Sequence, residues 1–126
     1  MRAVDTNVLV RLVTGDDLRQ VAAAEEFVEN GVWVSLLALA EAVWVLVKVY
    51  QFRADKIAGV VEMLLNHKDL TLQESDVVTA ALALFRKRPS LGFSDCLLLE
   101  LARKAGHLPL GTFDRELSKL SGAEKL

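Results

Sequence analysis

Arg2-Ala3-Val4-Asp5-Thr6-Asn7-Val8-Leu9-Val10-Arg11-Leu12-Val13 sets a pattern that the rest of the chain repeats. A short strand, Arg2-Ala3-Val4-Asp5, ends in a carboxylate. Thr6-Asn7 can cap a helix, and the apolar run from Val8 begins it. Gly15 ends that helix. Asp16-Asp17 caps a second one, with Leu18, Val21, Ala24 and Val28 along one face, and Asn30-Gly31 stops it. Val32-Trp33-Val34 then repeats the opening step as a short buried strand, with Ser35 capping a helix that runs to about Tyr50. This helix is apolar nearly all round. Both faces should therefore be covered, by the sheet and, as a second candidate, by another subunit.

The alternation continues to the end. Ala54-Asp55 opens a helix in which Ile57, Val60, Val61, Leu64 and Leu65 recur at helical spacing. Leu70-Thr71-Leu72 is a strand, and Ser75-Asp76 caps a helix with Val77, Val78, Ala81, Leu82 and Phe85 on one side. Arg86-Lys87-Arg88-Pro89-Ser90-Leu91-Gly92 reads as a basic loop. Phe93 to Ala105 is helical and Gly106 ends it. Leu108 to Thr112 is a fourth strand, Asp114 to Leu120 a short final helix, and Ala123 to Leu126 a weak edge strand. Strands alternating with helices predict an α/β protein, with a parallel sheet covered by helices on both faces. Sites in such sheets form at the carboxyl ends of the strands, where Asp5 and Asp114 lie.

Composition narrows the function. The 126 residues are 52% hydrophobic and 25% charged, which suits a single folded domain over residues 1–126 and argues against disorder. Aromatics are only 6%, so the core must be mostly Leu, Val and Ala. A formal net charge of -2 excludes a broad basic surface that binds nucleic acid by charge alone. Binding a polyanion would need local positive charge or a metal. The one cysteine, Cys96, excludes an intrachain disulfide and favours the cytoplasm. Asp5 comes too early for the apolar part of a signal peptide. The longest apolar run, Val32 to Val47, carries Glu41 and is shorter than the roughly 20 residues of a membrane span.

Four acids stand out by position. Asp5 ends a strand, Asp95 follows Phe93-Ser94 in the first turn of a helix, and Asp114 follows Thr112-Phe113 at a strand end. Each alone reads most simply as a helix cap or a helix-dipole partner. Glu41 is different. It sits among Leu37, Ala38, Leu39, Ala40, Ala42, Val43 and Trp44, and no basic residue lies three or four positions away. A local ion pair is excluded, and burying a lone carboxylate costs several kcal/mol. A metal or functional cleft explains Glu41 better than a long-range partner does. If all four acids meet, two unit charges 4 Å apart repel by about 4 kcal/mol at an effective dielectric of 20. Divalent cations relieve that repulsion, and oxygen-only ligands suit Mg²⁺ or Mn²⁺ rather than zinc.

The segments Ala3-Val4-Asp5-Thr6-Asn7-Val8-Leu9-Val10, Ser35 to Glu41, Phe93-Ser94-Asp95-Cys96 and Gly111-Thr112-Phe113-Asp114-Arg115, in this order, resemble PIN-domain ribonucleases, specifically the VapC-type toxins of toxin–antitoxin pairs. The resemblance covers nearly the whole chain. It implies a three-layer α/β/α domain with a central, mainly parallel five-stranded sheet and an acidic pocket holding Mg²⁺ or Mn²⁺. It implies endonucleolytic cleavage of RNA by metal-activated water, with 5′-phosphate and 3′-hydroxyl products. By position, Asp5, Glu41, Asp95 and Asp114 take the acidic roles, with Asn7 and Thr112 as supporting polar groups. A homodimer and a small VapB-type antitoxin partner are implied as well.

Other residues rank lower. Arg86-Lys87-Arg88 could steer RNA, against the simpler reading of a solvated helix end. His67 and His107 lack partners at catalytic spacing. Cys96 reads as a buried inert thiol, and Trp33 and Trp44 as core or dimer packing. Two other functions compete with the nuclease. A non-catalytic binding module on the same scaffold would be marked by loss of an acid, and none is missing. A receiver-type phospho-acceptor domain needs an adjacent acidic pair after its first strand, whereas Asp5 stands alone.

Overall fold

Five strands and six α-helices alternate along the chain, and this computed structural model describes all residues 1–126. The contacts divide them into two units, Met1–Ser75 and Asp76–Leu126.

The first unit contains β1 (Arg2–Ala3), α1 (Thr6–Thr14), α2 (Leu18–Val28), β2 (Val32–Val34), α3 (Leu36–Lys48), α4 (Ala54–Asn66) and β3 (Leu70–Leu72). The strands pair in parallel in the order β1-β2-β3, with Arg2 opposite Val32 and Val32 opposite Leu70. Local chemistry sets the helix ends. The Asp17 side chain accepts from the Gln20 amide at 3.0 Å and the Ser35 hydroxyl from the Ala38 amide at 3.0 Å, giving α2 and α3 their starts. Gly15 closes α1 in the left-handed region at φ 65°, where a side chain would be strained. Leu9, Val10, Val32, Val34, Leu39, Leu46, Ile57, Val61 and Leu64 form the buried core of this unit. α1 packs on α2 and α3, and α4 packs on β3.

Helix α3 departs from expectation. It buries Ala38, Leu39, Ala42, Val43 and Leu46, but Leu37 is 69% exposed, Trp44 61% and Val47 41%. This chain covers one face of the helix and leaves an apolar stripe open. Trp44 is therefore not a core residue.

The second unit contains most of α5 (Ser75–Lys87), then α6 (Phe93–Ala105), β4 (Leu110–Thr112) and β5 (Ala123–Lys125). Val77, Val78, Ala81, Leu82 and Phe85 are the buried side of α5, as their spacing predicts. The Phe85 and Phe93 rings meet edge to face with centroids 5.8 Å apart. β4 and β5 pair in parallel, Leu110 opposite Ala123.

All five expected strands form and every pairing is parallel, so the α/β class holds. They hydrogen-bond as a ladder of three and a ladder of two, not as one run of five. Each strand is only two or three residues long, which leaves few ladder bonds to extend a sheet. The final helix expected over 114–120 is also shorter than its pattern suggests. It is a single 3₁₀ turn, Leu117–Lys119, closed by bonds from Lys119 to Glu116 and from Leu120 to Leu117 before the backbone turns extended at Leu120. Conversely, α5 runs through Lys87, so Arg86 and Lys87 occupy its last turn and only Arg88 to Gly92 form the loop. No helix is long and apolar enough to cross a membrane.

Candidate active site

In the first unit, the junction between β1 and α1 presents Asp5. Its backbone is extended (φ −93°, ψ 178°), and its Oδ1 accepts from the Val8 amide at 3.4 Å. Asp5 is thus the N-cap of α1, the simplest reading of its position, while Thr6 and Asn7, which could also have capped, stand inside the helix. The cap bond is long and uses one oxygen. The exposed carboxylate keeps further lone pairs for a ligand.

Thr6 is released from capping and bonds elsewhere. Its Oγ1 donates to Glu41 Oε2 at 3.1 Å, tying α3 to the first residue of α1. The packing of α1 on α3 makes this reach possible. Glu41 is exposed, so the premise of a buried lone carboxylate is corrected. Water solvates its charge. What singles it out is its bond to Thr6, the neighbour of Asp5 in the chain, a partner that its sequence surroundings do not reveal. Asn7 is exposed in the first turn of α1.

In the second unit, Asp95 stands in the first turn of α6, half-buried beside Gly92. Burial pushes its carboxyl above the usual carboxylate range, and the negative charge of Asp114 pushes it further, against a smaller lowering by the Gly92 backbone. The fold therefore brings Asp95 and Asp114 close enough to repel. Asp114 is fixed at the end of β4 in two ways. Its amide donates to Thr112 Oγ1 at 2.9 Å, and its Oδ1 accepts from the Leu117 amide at 2.9 Å. Thr112 thus sets the backbone that carries Asp114. Cys96, next to Asp95, is fully buried. Burial above all, then the charges of Asp95 and Glu100, pushes its thiol up to about 11.

Arg86, Lys87 and Arg88 are all exposed. His67 Nδ1 accepts from the Asp69 amide at 3.1 Å, a turn-stabilising bond. No three His, Cys, Asp or Glu side chains form a ready-made metal cage. The donor chemistry nevertheless suits a hard divalent cation. Every candidate ligand is a carboxylate oxygen, and Asp95 and Asp114 carry a repulsion that a cation would relieve.

Parallel strands whose ends lead into acid-bearing helix starts define an α/β protein with its chemistry at the strand ends. The PIN domain family matches residues 2–123, and the chain belongs to that family. PIN domains are generally metal-dependent nucleases that act on RNA. Neither a curated protein nor a solved structure matches the chain.

Proposed function

We propose that this chain is a Mg²⁺- or Mn²⁺-dependent endoribonuclease and the toxin of a VapBC-type toxin–antitoxin pair, acting as a single domain in the cytoplasm. The observation that carries the nuclease reading is Asp114, fixed at the end of β4 by Thr112 and the Leu117 amide and close enough to Asp95 for the two charges to repel, in a chain of the PIN family. Charge repulsion kept at that place is costly to the fold and useful to a cation-binding enzyme.

In this reading Asp5, Asp95 and Asp114 hold the metal, and Glu41 either joins them or takes a proton from the attacking water. When bound, a divalent metal lowers the pKa of its water and stabilises charge on the phosphate. The chain's own groups prepare the reaction. Thr6 holds Glu41 beside the start of α1, and Thr112 holds the Asp114 backbone. Asn7 supports Asp5. Arg86, Lys87 and Arg88 draw the RNA backbone by charge, despite the acidic balance of the whole chain. The antitoxin would inhibit by placing a cationic side chain among these acids. The open stripe of α3, Leu37, Trp44 and Val47, supports a homodimer.

The test is cleavage of a mixed RNA pool by purified protein with Mg²⁺, Mn²⁺ or EDTA, wild type beside Asp5→Asn. The expected outcome is cutting that EDTA abolishes and that falls at least 100-fold in Asp5→Asn, as for loss of a group that holds the catalytic metal. No cutting, together with no metal binding by calorimetry, would overturn the nuclease reading.

A further inference from the structure

A groove of about 400 Å³ starts at Asp5 and runs between α1 and α2. Asn7 and Val8 line it from α1, and Gln20, Ala23, Ala24 and Phe27 from α2. Its size is that of a small-molecule pocket. We infer that this groove is a nucleotide subsite, which takes one base of single-stranded RNA flanking the bond to be cut. The inference rests on the nuclease reading and deepens it.

Three features favour a base. The first is the aromatic ring of Phe27. It is half-buried in the wall, and the Arg2 guanidinium covers it 3.8 Å from the ring centroid, while Arg2 also donates to the Phe27 carbonyl at 3.1 Å. A ring braced in this way is a stacking platform that costs little entropy to order. The second is a pair of uncharged amides. Arg11 Nε donates to Gln20 Oε1, which leaves the Gln20 NH₂ as a donor, and the exposed Asn7 lines the groove as well. Amides of this kind read the edges of unstacked bases. The third is continuity. Asp5 itself lines the groove, so an occupant lies against the acid that the nuclease reading places at the scissile phosphate. Arg11 is engaged by Gln20, Asp16 and Tyr50 and serves as wall.

The experiment uses an RNA oligonucleotide that the full-length wild type cleaves, remade with one abasic nucleotide at each position around the cut. KM and kcat are measured in Mg²⁺. Affinity is read separately by fluorescence anisotropy in Ca²⁺. At one flanking position the abasic substitution should raise the wild-type KM and Kd about 10-fold with kcat little changed. Phe27→Ala should show the same rise on intact RNA and no further rise on that abasic RNA, because both changes remove one contact. Gln20→Ala, an exposed change on α2 that gives up one surface bond to Arg11, should raise KM about threefold while the protein stays folded by circular dichroism. It serves if Phe27→Ala does not fold. Additive losses, or KM and Kd values that ignore the substitutions, would overturn the subsite while leaving the nuclease reading intact. A wild type that neither cuts nor binds any RNA would overturn both.

Discussion

Asp95 and Cys96 are neighbours in sequence and are burdened by the same burial, to different ends. The raised Asp95 carboxyl means that its charge opposes folding at neutral pH. That cost is absent below the ordinary carboxylate range, where the group is protonated both folded and unfolded, and it grows as pH rises. Asp95→Asn should therefore stabilise the metal-free protein at pH 7, by about 1–3 °C in melting temperature after allowance for solvent screening. The gain should fade below about pH 4. The same variant should lose RNA cleavage, so that stability and activity move in opposite directions. A thermal melt and a cleavage assay on one preparation check both. The Cys96 thiol, pushed up to about 11 and fully buried, should be inert. A chromogenic disulfide reagent at pH 8 should leave it untouched in the native state and label it fully in denaturant. Rapid native labelling would contradict the burial.

Between elements, Asp16 fastens the connection from α1 to α2 onto the end of α3. Its Oδ2 accepts from the Tyr50 hydroxyl at 2.6 Å, and its Oδ1 from Thr14 Oγ1 at 3.0 Å and Arg11 Nη1 at 3.1 Å. These bonds, the one from Tyr50 foremost, hold the carboxyl below its ordinary value of 3.8. A lowered pKa in the folded state stabilises above the unfolded value and ceases to as pH falls through the folded one. Wild type should thus melt above Asp16→Asn at pH 7, and the two should converge as pH drops below about 4. Melting curves at pH 7, 5 and 3 suffice, and a gap that does not narrow between pH 5 and pH 3 would contradict the ion-dependent reading. Element boundaries were largely legible in the sequence. Ser35, Asp17, Gly15 and Gly106 are local signals, and each ends or begins a helix where its chemistry predicts. The stretch 114–120 was not legible. Its polar start and Leu117 fit a helix, but Asp114 caps only one tight turn before Leu120 becomes extended.

For the molecule as a whole, the unresolved surface is the stripe on α3. Leu37, Trp44 and Val47 are large, apolar and open to water, a pattern that single folded chains rarely leave uncovered. If the proposed homodimer uses this stripe, Trp44→Glu should shift the protein from dimer to monomer in sedimentation at micromolar concentration, with the monomer still folded by circular dichroism. The dimer dissociation constant should rise at least 100-fold, since a central aromatic anchor is replaced by a charge. An unchanged dimer would place the interface elsewhere.

Sequence alone determined the α/β class, the parallel pairing and nearly every helix, because periodicity and capping act over a few residues and need no partner. It also picked out the four acids and, through the order of their segments, the PIN family. Tertiary structure decided which face of α3 is buried. In a helix apolar nearly all round the sequence gives little sign of which face turns inward, so Glu41 looked buried and is exposed. It also decided the partners of the acids. The bond from Thr6 to Glu41 and the repulsion between Asp95 and Asp114 join residues far apart in sequence, and their distances are set only when the elements pack.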